Sequence, residues 1–412
     1  MPDPTRESAF DLLSAVLERR RSLDEALSSL PPQDARDRAA AHRLAACVLR
    51  RTGTLDAVLE PHLRRHPPEP VRLILRVGAA GLLLLGTPSH AAVATAVALA
   101  KRRGLTPFTG LINAVLRKVA TAGPHAIADL NSPQLDTPPW LWASWGQDAL
   151  AIATAHQLEA PLDLTLQPGE PVPIGGELLP TGSVRYPAGT AVAAVPGFET
   201  GRLWVQDAAA AIPARLLAGQ PDELIADLCA APGGKTGQLA AAGASVIALD
   251  RDAHRVERLR SNLTRWSLPA EVITADATTW QPPRLLDAVL LDAPCSATGT
   301  IRRHPDVVHL KRARDITKMT ETQDALLAAA GSMLRPGGRL IYAVCSLQPE
   351  EGLPRIEAAM ARGGLRHEPF RPDELTELPE ALTPDGFLRT HPGLWPSLGG
   401  MDGFFAARLI RT

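Results

Sequence analysis

The sequence predicts an all-α bundle followed by an α/β domain built on a parallel sheet. Three observations carry this. Apolar residues recur at helical spacing, with no strand-like alternation, up to Gly123. A proline-rich stretch from Gly123 to Pro139 then breaks the pattern. From about Asp222 short apolar strands alternate with helical segments. At 412 residues the chain exceeds one ordinary core. The expected division is a helical domain over 1–125, a linker helix and small β-rich element over 126–200, and the α/β domain over 201–412.

In the first part the helical period runs through Phe10, Leu13, Val16 and Leu17, then Leu44, Cys47 and Val48, then Leu55, Val58 and Leu59. Ser89 is placed to cap a helix running to Arg103 with Gly104 behind it, and Pro107 precedes another that ends at Gly123. Val77 to Ala100 carries no Asp, Glu, Lys or Arg, but Gly86 and Pro88 divide it into two pieces, each too short to cross a bilayer. Two buried soluble helices are expected there, and no membrane association.

Formal net charge is −1, which argues against a general polyanion binder, yet the charge is unevenly spread. Residues 1–125 hold 18 Lys and Arg against 11 Asp and Glu, a balance of +7, and the remainder holds 25 against 33, a balance of −8. Arg19-Arg20-Arg21 and Lys101-Arg102-Arg103 are the basic clusters. Such asymmetry suits one domain that docks on nucleic acid and another that does chemistry; a solvated basic face would look the same. The four cysteines lie far apart without a C-x-x-C pair or clustered histidines, so neither a structural metal nor a disulfide framework is expected. The N-terminus lacks the layout of a secretion signal, which points to the cytoplasm.

Beyond the prolines, Trp140 to Gln157 reads as a helix, and short apolar runs from Pro161 to Pro196 between Pro/Gly turns read as a small β-rich element. The later strands read Leu224–Asp227, Ser245–Asp250, Glu271–Asp276, Leu286–Asp292 and Arg339–Cys345, the last after a Pro336-Gly337-Gly338 turn. Right-handed βαβ units follow, hence a Rossmann-like domain.

Four of these strands end in aspartate: Asp227, Asp250, Asp276 and Asp292. Ligands of open parallel sheets bind at the carboxyl ends of strands, so these carboxylates should share one rim, although helix capping would explain Asp227 alone. After the first strand comes Asp227-Leu-Cys229-Ala230-Ala231-Pro232-Gly233-Gly234-Lys235-Thr236. Its two glycines let the backbone approach a ligand, and the next helix points its positive end at the same place, which suits a nucleoside cofactor. Neither G-x-G-x-x-G nor P-loop spacing is present. Asp250 is positioned to accept ribose hydroxyls and Asp276 to meet the adenine side. Cys295 follows the fourth strand and Cys345 ends the fifth, so residues 50 apart in sequence should face each other across the crevice. A single cysteine there would be read as packing; two beside the cofactor rim point to nucleophilic chemistry. Arg302, Arg303 and His304 follow in a loop suited to gripping phosphates around an extruded base, or else a solvated basic loop.

Asp227 to Thr236, D-A-P-C-S-A-T-G-T-I-R-R-H-P-D from Asp292 to Asp306, and C-S-L-Q-P-E-E from Cys345 to Glu351 closely resemble the RNA 5-methylcytosine methyltransferases of the Sun/Fmu (RsmB) kind. Val205-Gln206-Asp207 and Gly400–Arg408 extend the resemblance, and the N-terminal bundle is similar to the RNA-binding fold of NusB, with Leu111–Arg117 matching well. The resemblance implies S-adenosylmethionine as cofactor, held by Cys229, Ala230, Ala231, Pro232, Gly233, Gly234, Lys235, Asp250, Asp276 and Asp292. It implies an RNA partner, 16S ribosomal RNA or another structured RNA such as tRNA, and a monomeric enzyme. Cys345 would add to carbon 6 of cytosine, Asp292 would hydrogen-bond the base, and Cys295 would assist release. Lys235 would contact either the cofactor carboxylate or an RNA phosphate, and Cys229 would serve as a packing residue.

This chain departs from the family at Val344, where Thr is usual, at Ala297, where Gly is usual, and at Gly352, where Asn is usual. Residues 161–196 look short, with Leu162-Asp-Leu-Thr165 in place of an Arg-Val-Asn segment. Two rival readings are a cytosine-5 DNA methyltransferase with Cys295 as nucleophile, and a non-catalytic RNA-binding assembly factor.

Overall fold

A computed structural model describes residues 3–412, which form two compact units: 3–158 with Ile301–Lys311, and Glu159–Thr300 with Arg312–Thr412. In the first, helices α1 (Pro4–Leu17), α2 (Leu23–Ser28), α3 (Ala35–Arg50), α4 (Thr52–Leu59), α5 (Glu69–Leu83), α6 (Ser89–Arg102) and α7 (Thr109–Ala122) surround one apolar core. Side chains of Asp3, Ser22 and Asp34 accept from backbone N–H groups at the starts of α1, α2 and α3, satisfying donors that lack an intrahelical partner. Helix α5 is buried on nearly all sides. The uncharged stretch is thus α5 and α6, and no helix among the described residues is long and apolar enough to cross a membrane. Ser89 is the first helical residue and makes no cap; Pro88 holds the cap position. Gly104 and Gly123 close their helices at positive φ, +75° and +59°.

Part of the arginine excess is structural. Arg76 is buried and grips Asp56 through two nitrogens at 2.8 and 2.9 Å and Glu69 at 2.6 Å, tying α4 to α5. Arg102 pairs with Glu7, and Arg103 with Asp11, so one predicted basic cluster is half neutralised, while Arg19 and Arg20 remain exposed.

The proline-rich stretch is no free linker. It forms α8 (His125–Ala128) and α9 (Ser132–Leu135), and the buried Asp136 beyond them accepts from Thr54 N and Oγ1 at 2.7 Å each and from Arg51 Nε at 2.9 Å. Gly53 meets this segment so closely that a Cβ would lie 1.8 Å from the Leu135 carbonyl oxygen. The predicted Trp140–Gln157 helix is two, α10 (Pro139–Trp145) and α11 (Ala149–His156), parted by Gly146 at φ +56°. The first unit therefore continues to Leu158, past the expected end at residue 125. Loops built of prolines still pack when a buried carboxylate needs their backbone close.

The second unit opens with a four-stranded antiparallel sheet, order β2-β3-β1-β4, from β1 (Leu162–Leu166), β2 (Glu177–Leu178), β3 (Val184–Tyr186) and β4 (Leu203–Val205). Asp163 of β1 and Arg185 of β3 form a buried two-pronged ion pair at 2.6 Å, and Asp163 also accepts from Ala208 N at the start of α12 (Ala208–Leu217). The main sheet runs β10-β12-β9-β8-β5-β6-β7, from β5 (Leu224–Leu228), β6 (Ser245–Asp250), β7 (Glu271–Thr274), β8 (Leu286–Asp292), β9 (Leu334–Val344), β10 (Leu365–His367) and β12 (Phe405–Arg411), with β11 (Leu388–Arg389) paired to β12. β6, β5, β8 and β9 are parallel neighbours; β12 is antiparallel to β9. Helices α13 (Gly234–Ala241), α14 (Ala253–Trp266), α16 (Asp315–Met333) and α17 (Leu353–Ala361) accompany the sheet, and α15 (Val307–Leu310) lies in the segment that belongs to the first unit. From β5 the chain winds to β7, then crosses back to β8 on the other side of β5. This reversal of winding makes the crevice at the carboxyl ends of β5 and β8 the natural ligand site.

Asp136→Ala would strip a buried acceptor from Thr54 and Arg51 and cost about 2–4 kcal/mol. Urea unfolding followed by circular dichroism should show the helical transition moved to lower denaturant; an unchanged midpoint would mean the stretch is not held by this carboxylate.

Candidate active site

Parallel pairing sets the rim. Asp292 is in register with Ala343, and Ala293 N donates to Ala343 O at 2.9 Å, so β8 and β9 end at the same level. The loops that follow bring Cys295 Sγ to 3.4 Å from Cys345 Sγ, both thiols half-buried. The hydrogen bond to Cys345, burial and the Glu351 carboxylate push the Cys295 thiol well above its usual range, so Cys295 is held as a neutral S–H. Backbone of the two loops is interlocked: Gly299 N donates to Cys345 O at 3.0 Å, and Gly403 N to Gly299 O at 2.9 Å. A Cβ on Gly299 would lie 2.0 Å from Gly403 O, so only glycine fits.

Lys235, in the first turn of α13, is buried and donates through Nζ to Asp292 Oδ2 at 2.7 Å. Burial alone would lower its pKa, but the Asp292 carboxylate outweighs it and holds the ammonium charged. Within the protein Lys235 faces Asp292. Asp227 is fully buried, accepts from Thr236 Oγ1 at 2.5 Å, and has a second carboxylate oxygen without a protein partner. It holds a side chain of α13 and does not cap that helix. Burial lifts its pKa to about 7.

The 229–235 loop folds as its glycines require. Cys229 stands at φ +64° and Gly233 at φ +107°, where a Cβ would approach Leu259 to 2.5 Å. Ala230 N donates to Leu249 O at 2.8 Å and Ala231 N to Asp250 Oδ2 at 3.3 Å; Pro232 and Gly234 complete the turn into α13. Burial raises the Cys229 thiol to about 12, as befits a packing residue. Asp250 and Asp276 line one pocket of about 130 Å³ with Cys229, Pro294 and the apolar Leu249 and Leu326. Carboxylates together with apolar walls suit an adenosine, and Pro294, which precedes Cys295, belongs to the same lining.

Of Arg302, Arg303 and His304, only Arg302 is buried; Arg303 and His304 are half-exposed. They lie in the Ile301–Lys311 segment, which packs within the helical unit. Arg302 is buried and its carbonyl accepts from Arg50; His304 lies 3.8 Å from Asp24; Asp306 accepts from Leu23 N. Burial in the helical unit removes Arg302 from an exposed phosphate grip. The loop departs because its backbone finds partners there, which no local pattern signals. Of the three departures from the family, Ala297 sits at φ +59°, which explains why glycine is usual there. Val344 is buried opposite Phe405, and a Cβ on Gly352 would lie 3.3 Å from the same ring.

Sequence reasoning quoted Glu351 only as part of a motif and overlooked Gln323 and Arg389. Arg389 donates to the carbonyls of Ser346 and Leu347 at 2.9 and 2.7 Å, steadying the turn after Cys345. Among the described residues no group of three or more His, Cys, Asp or Glu is arranged to hold a metal.

Together these features define a Rossmann-like methyltransferase domain of the S-adenosylmethionine-dependent class, joined to a helical domain. Residues 214–410 match the family described as 16S rRNA methyltransferase RsmB/F, and residues 3–121 match the NusB family. The chain is 35% identical to ribosomal RNA small subunit methyltransferase B of Sodalis glossinidius (strain morsitans), covering 98% of this chain and 97% of that one. It is 37% identical to the protein of the same name from Xanthomonas campestris pv. campestris, covering 87% and 88%. The solved structure of PH0851 superposes over 100% of this chain and 99% of its own at TM-score 0.77 and 21% identity, a likeness of fold. A methyltransferase homolog protein from Pyrococcus horikoshii covers 69% of this chain and 96% of its own, at TM-score 0.54 and 23% identity. The chain belongs to the 16S rRNA methyltransferase RsmB/F family.

Because Asp227 has a folded-state pKa near 7 against about 3.9 in an unfolded chain, the native protein keeps a proton that the unfolded chain has released between those values. The folded state therefore loses stability as pH rises from about 4 to about 7. Asp227→Asn removes the effect, so the variant should gain on the wild type across that window and no further above it, measured as urea midpoints at pH 5, 6, 7 and 8. A difference that does not change with pH would return Asp227 to an ordinary carboxylate.

Proposed function

We propose that this enzyme transfers a methyl group to carbon 5 of a cytosine in 16S ribosomal RNA, using Cys345 as nucleophile. The observation that carries the reading is the pair of thiols 3.4 Å apart beside the Lys235–Asp292 pair. When bound, S-adenosylmethionine supplies an electrophilic methyl group. Asp250 and Asp276 would hold its ribose and adenine, and the backbone of residues 229–235, with the positive end of α13, its polar part.

Carbon 5 of cytosine is a weak nucleophile. Addition of the Cys345 thiolate to carbon 6 forms an S–C bond and moves the ring's electron pair toward carbon 5. Asp292 accepts from the amino edge of the base and, with Lys235 behind it, is fixed in direction. After carbon 5 has been alkylated it loses its proton, the S–C6 bond breaks, and the pair returns to sulfur. Cys295, neutral and in contact with Cys345, is the group placed to assist that departure. Both thiols, Asp292 and Lys235 come from one chain, which supports a monomeric enzyme; free thiols support a cytoplasmic setting. The NusB-like unit, with its basic excess, would hold the RNA.

Cys345→Ala should abolish both methylation and covalent RNA attachment, whereas Cys295→Ala should accumulate a protein–RNA adduct on a denaturing gel. An adduct formed by Cys345→Ala would reverse the roles. Bisulfite sequencing of small-subunit RNA from a strain lacking the gene should reveal one cytosine that becomes convertible; if every protected cytosine stays protected, the substrate is another RNA.

A further inference from the structure

Glu351 is 0% exposed, yet its carboxylate lies at the centre of the two cysteine loops. Oε1 accepts from Ser296 N at 2.9 Å and Gln323 Nε2 at 3.0 Å. Oε2 accepts from Ser296 Oγ at 2.5 Å and from Ser346 Oγ. Ser296 immediately follows Cys295 and Ser346 immediately follows Cys345. Gln323 also donates to Pro294 O at 3.0 Å, on the other side of Cys295. The Glu351 backbone is fixed in turn, since Tyr342 Oη, on β9, donates to its carbonyl at 2.8 Å. Burying a carboxylate is costly unless its oxygens are satisfied, and here four donors from three segments converge on it.

We infer that Glu351 is a positioning residue that clamps the loop of Cys295 to the loop of Cys345 and sets the separation of the two thiols. It touches neither thiol. It acts through the serine next to each, so that the two loops cannot part without breaking hydrogen bonds to a buried charge. Parallel strands β8 and β9 bring the loops to the same level, but a ladder that ends at Asp292 and Val344 does not fix side chains beyond it; the carboxylate does. This role rests on the reading of Cys345 and Cys295 given above, because only a reaction that uses both sulfurs demands a constant gap between them.

The test uses the full chain with Glu351→Gln, which keeps size but replaces one acceptor oxygen by an N–H donor, and with Ser346→Ala, which removes one arm only. Dilute hydrogen peroxide joins two neighbouring thiols as a disulfide, with two thiol hydrogens and two electrons passing to peroxide to form two waters; intact mass falls by about 2 Da, and digestion identifies the linked peptides. Wild type should form the Cys295–Cys345 link readily. Both variants should form it at least about tenfold more slowly, the alanine variant less severely. With small-subunit rRNA transcribed in vitro, kcat should fall in parallel while KM for RNA and the calorimetric affinity for S-adenosylmethionine stay within about twofold of wild type. An unchanged linking rate in Glu351→Gln overturns the inference. Equal losses in linking, cofactor affinity and melting temperature also overturn it, as the mark of general unfolding. Slower linking with undiminished kcat upholds the clamp and counts instead against the two-thiol mechanism.

Discussion

The parallel ladder between β8 and β9 is the constraint on which the site depends. Because Asp292 is opposite Ala343, the chain leaves both strands at one height, and Asp292, Cys295 and Cys345 all lie within a few residues of those ends. Cys295 and Cys345 belong to different βα connections, yet they meet at 3.4 Å because the ladder admits no other register without turning each strand's buried face outward. β12 completes the frame from the other side: antiparallel to β9, with Phe405 opposite Val344, it delivers Gly403 to the glycine contact that packs the Cys295 loop.

Charge is then arranged in layers on that frame. Lys235 is buried and remains cationic because Asp292 faces it, and the pair lies beside the sulfur that is to attack. Cys295, half-buried and hydrogen-bonded to that sulfur, has its thiol pushed well above the usual range. Beneath them the buried carboxylates of Asp227 and Glu351 serve the backbone, one through Thr236 and the other through the serines beside the cysteines.

Much of this was legible from local pattern. Strand-ending aspartates, the Gly233-Gly234 turn and the two cysteines announce themselves because each sits at a punctuation point between strand and helix. The antiparallel strands β10, β11 and β12 on one side of the sheet were not announced, being short or distant in sequence from their partners. Nor was the fate of the proline-rich stretch, where a single buried carboxylate, Asp136, draws turn-forming sequence into the helical unit. Arg302 illustrates the same limit: beside a catalytic motif it reads as a phosphate contact, yet it is buried, with its carbonyl accepting from Arg50, 252 residues earlier in the chain.

By itself the sequence determined the two kinds of domain, the crevice, the cofactor loop and the placing of two cysteines at neighbouring strand ends, because periodicity, glycine placement and motif chemistry are local properties. Only the tertiary structure decided that Lys235 faces Asp292, that Arg302 is buried in the helical unit, and that Glu351 joins the cysteine loops. Those are contacts between segments far apart in the chain, and their geometry exists only once the sheet has brought the segments together.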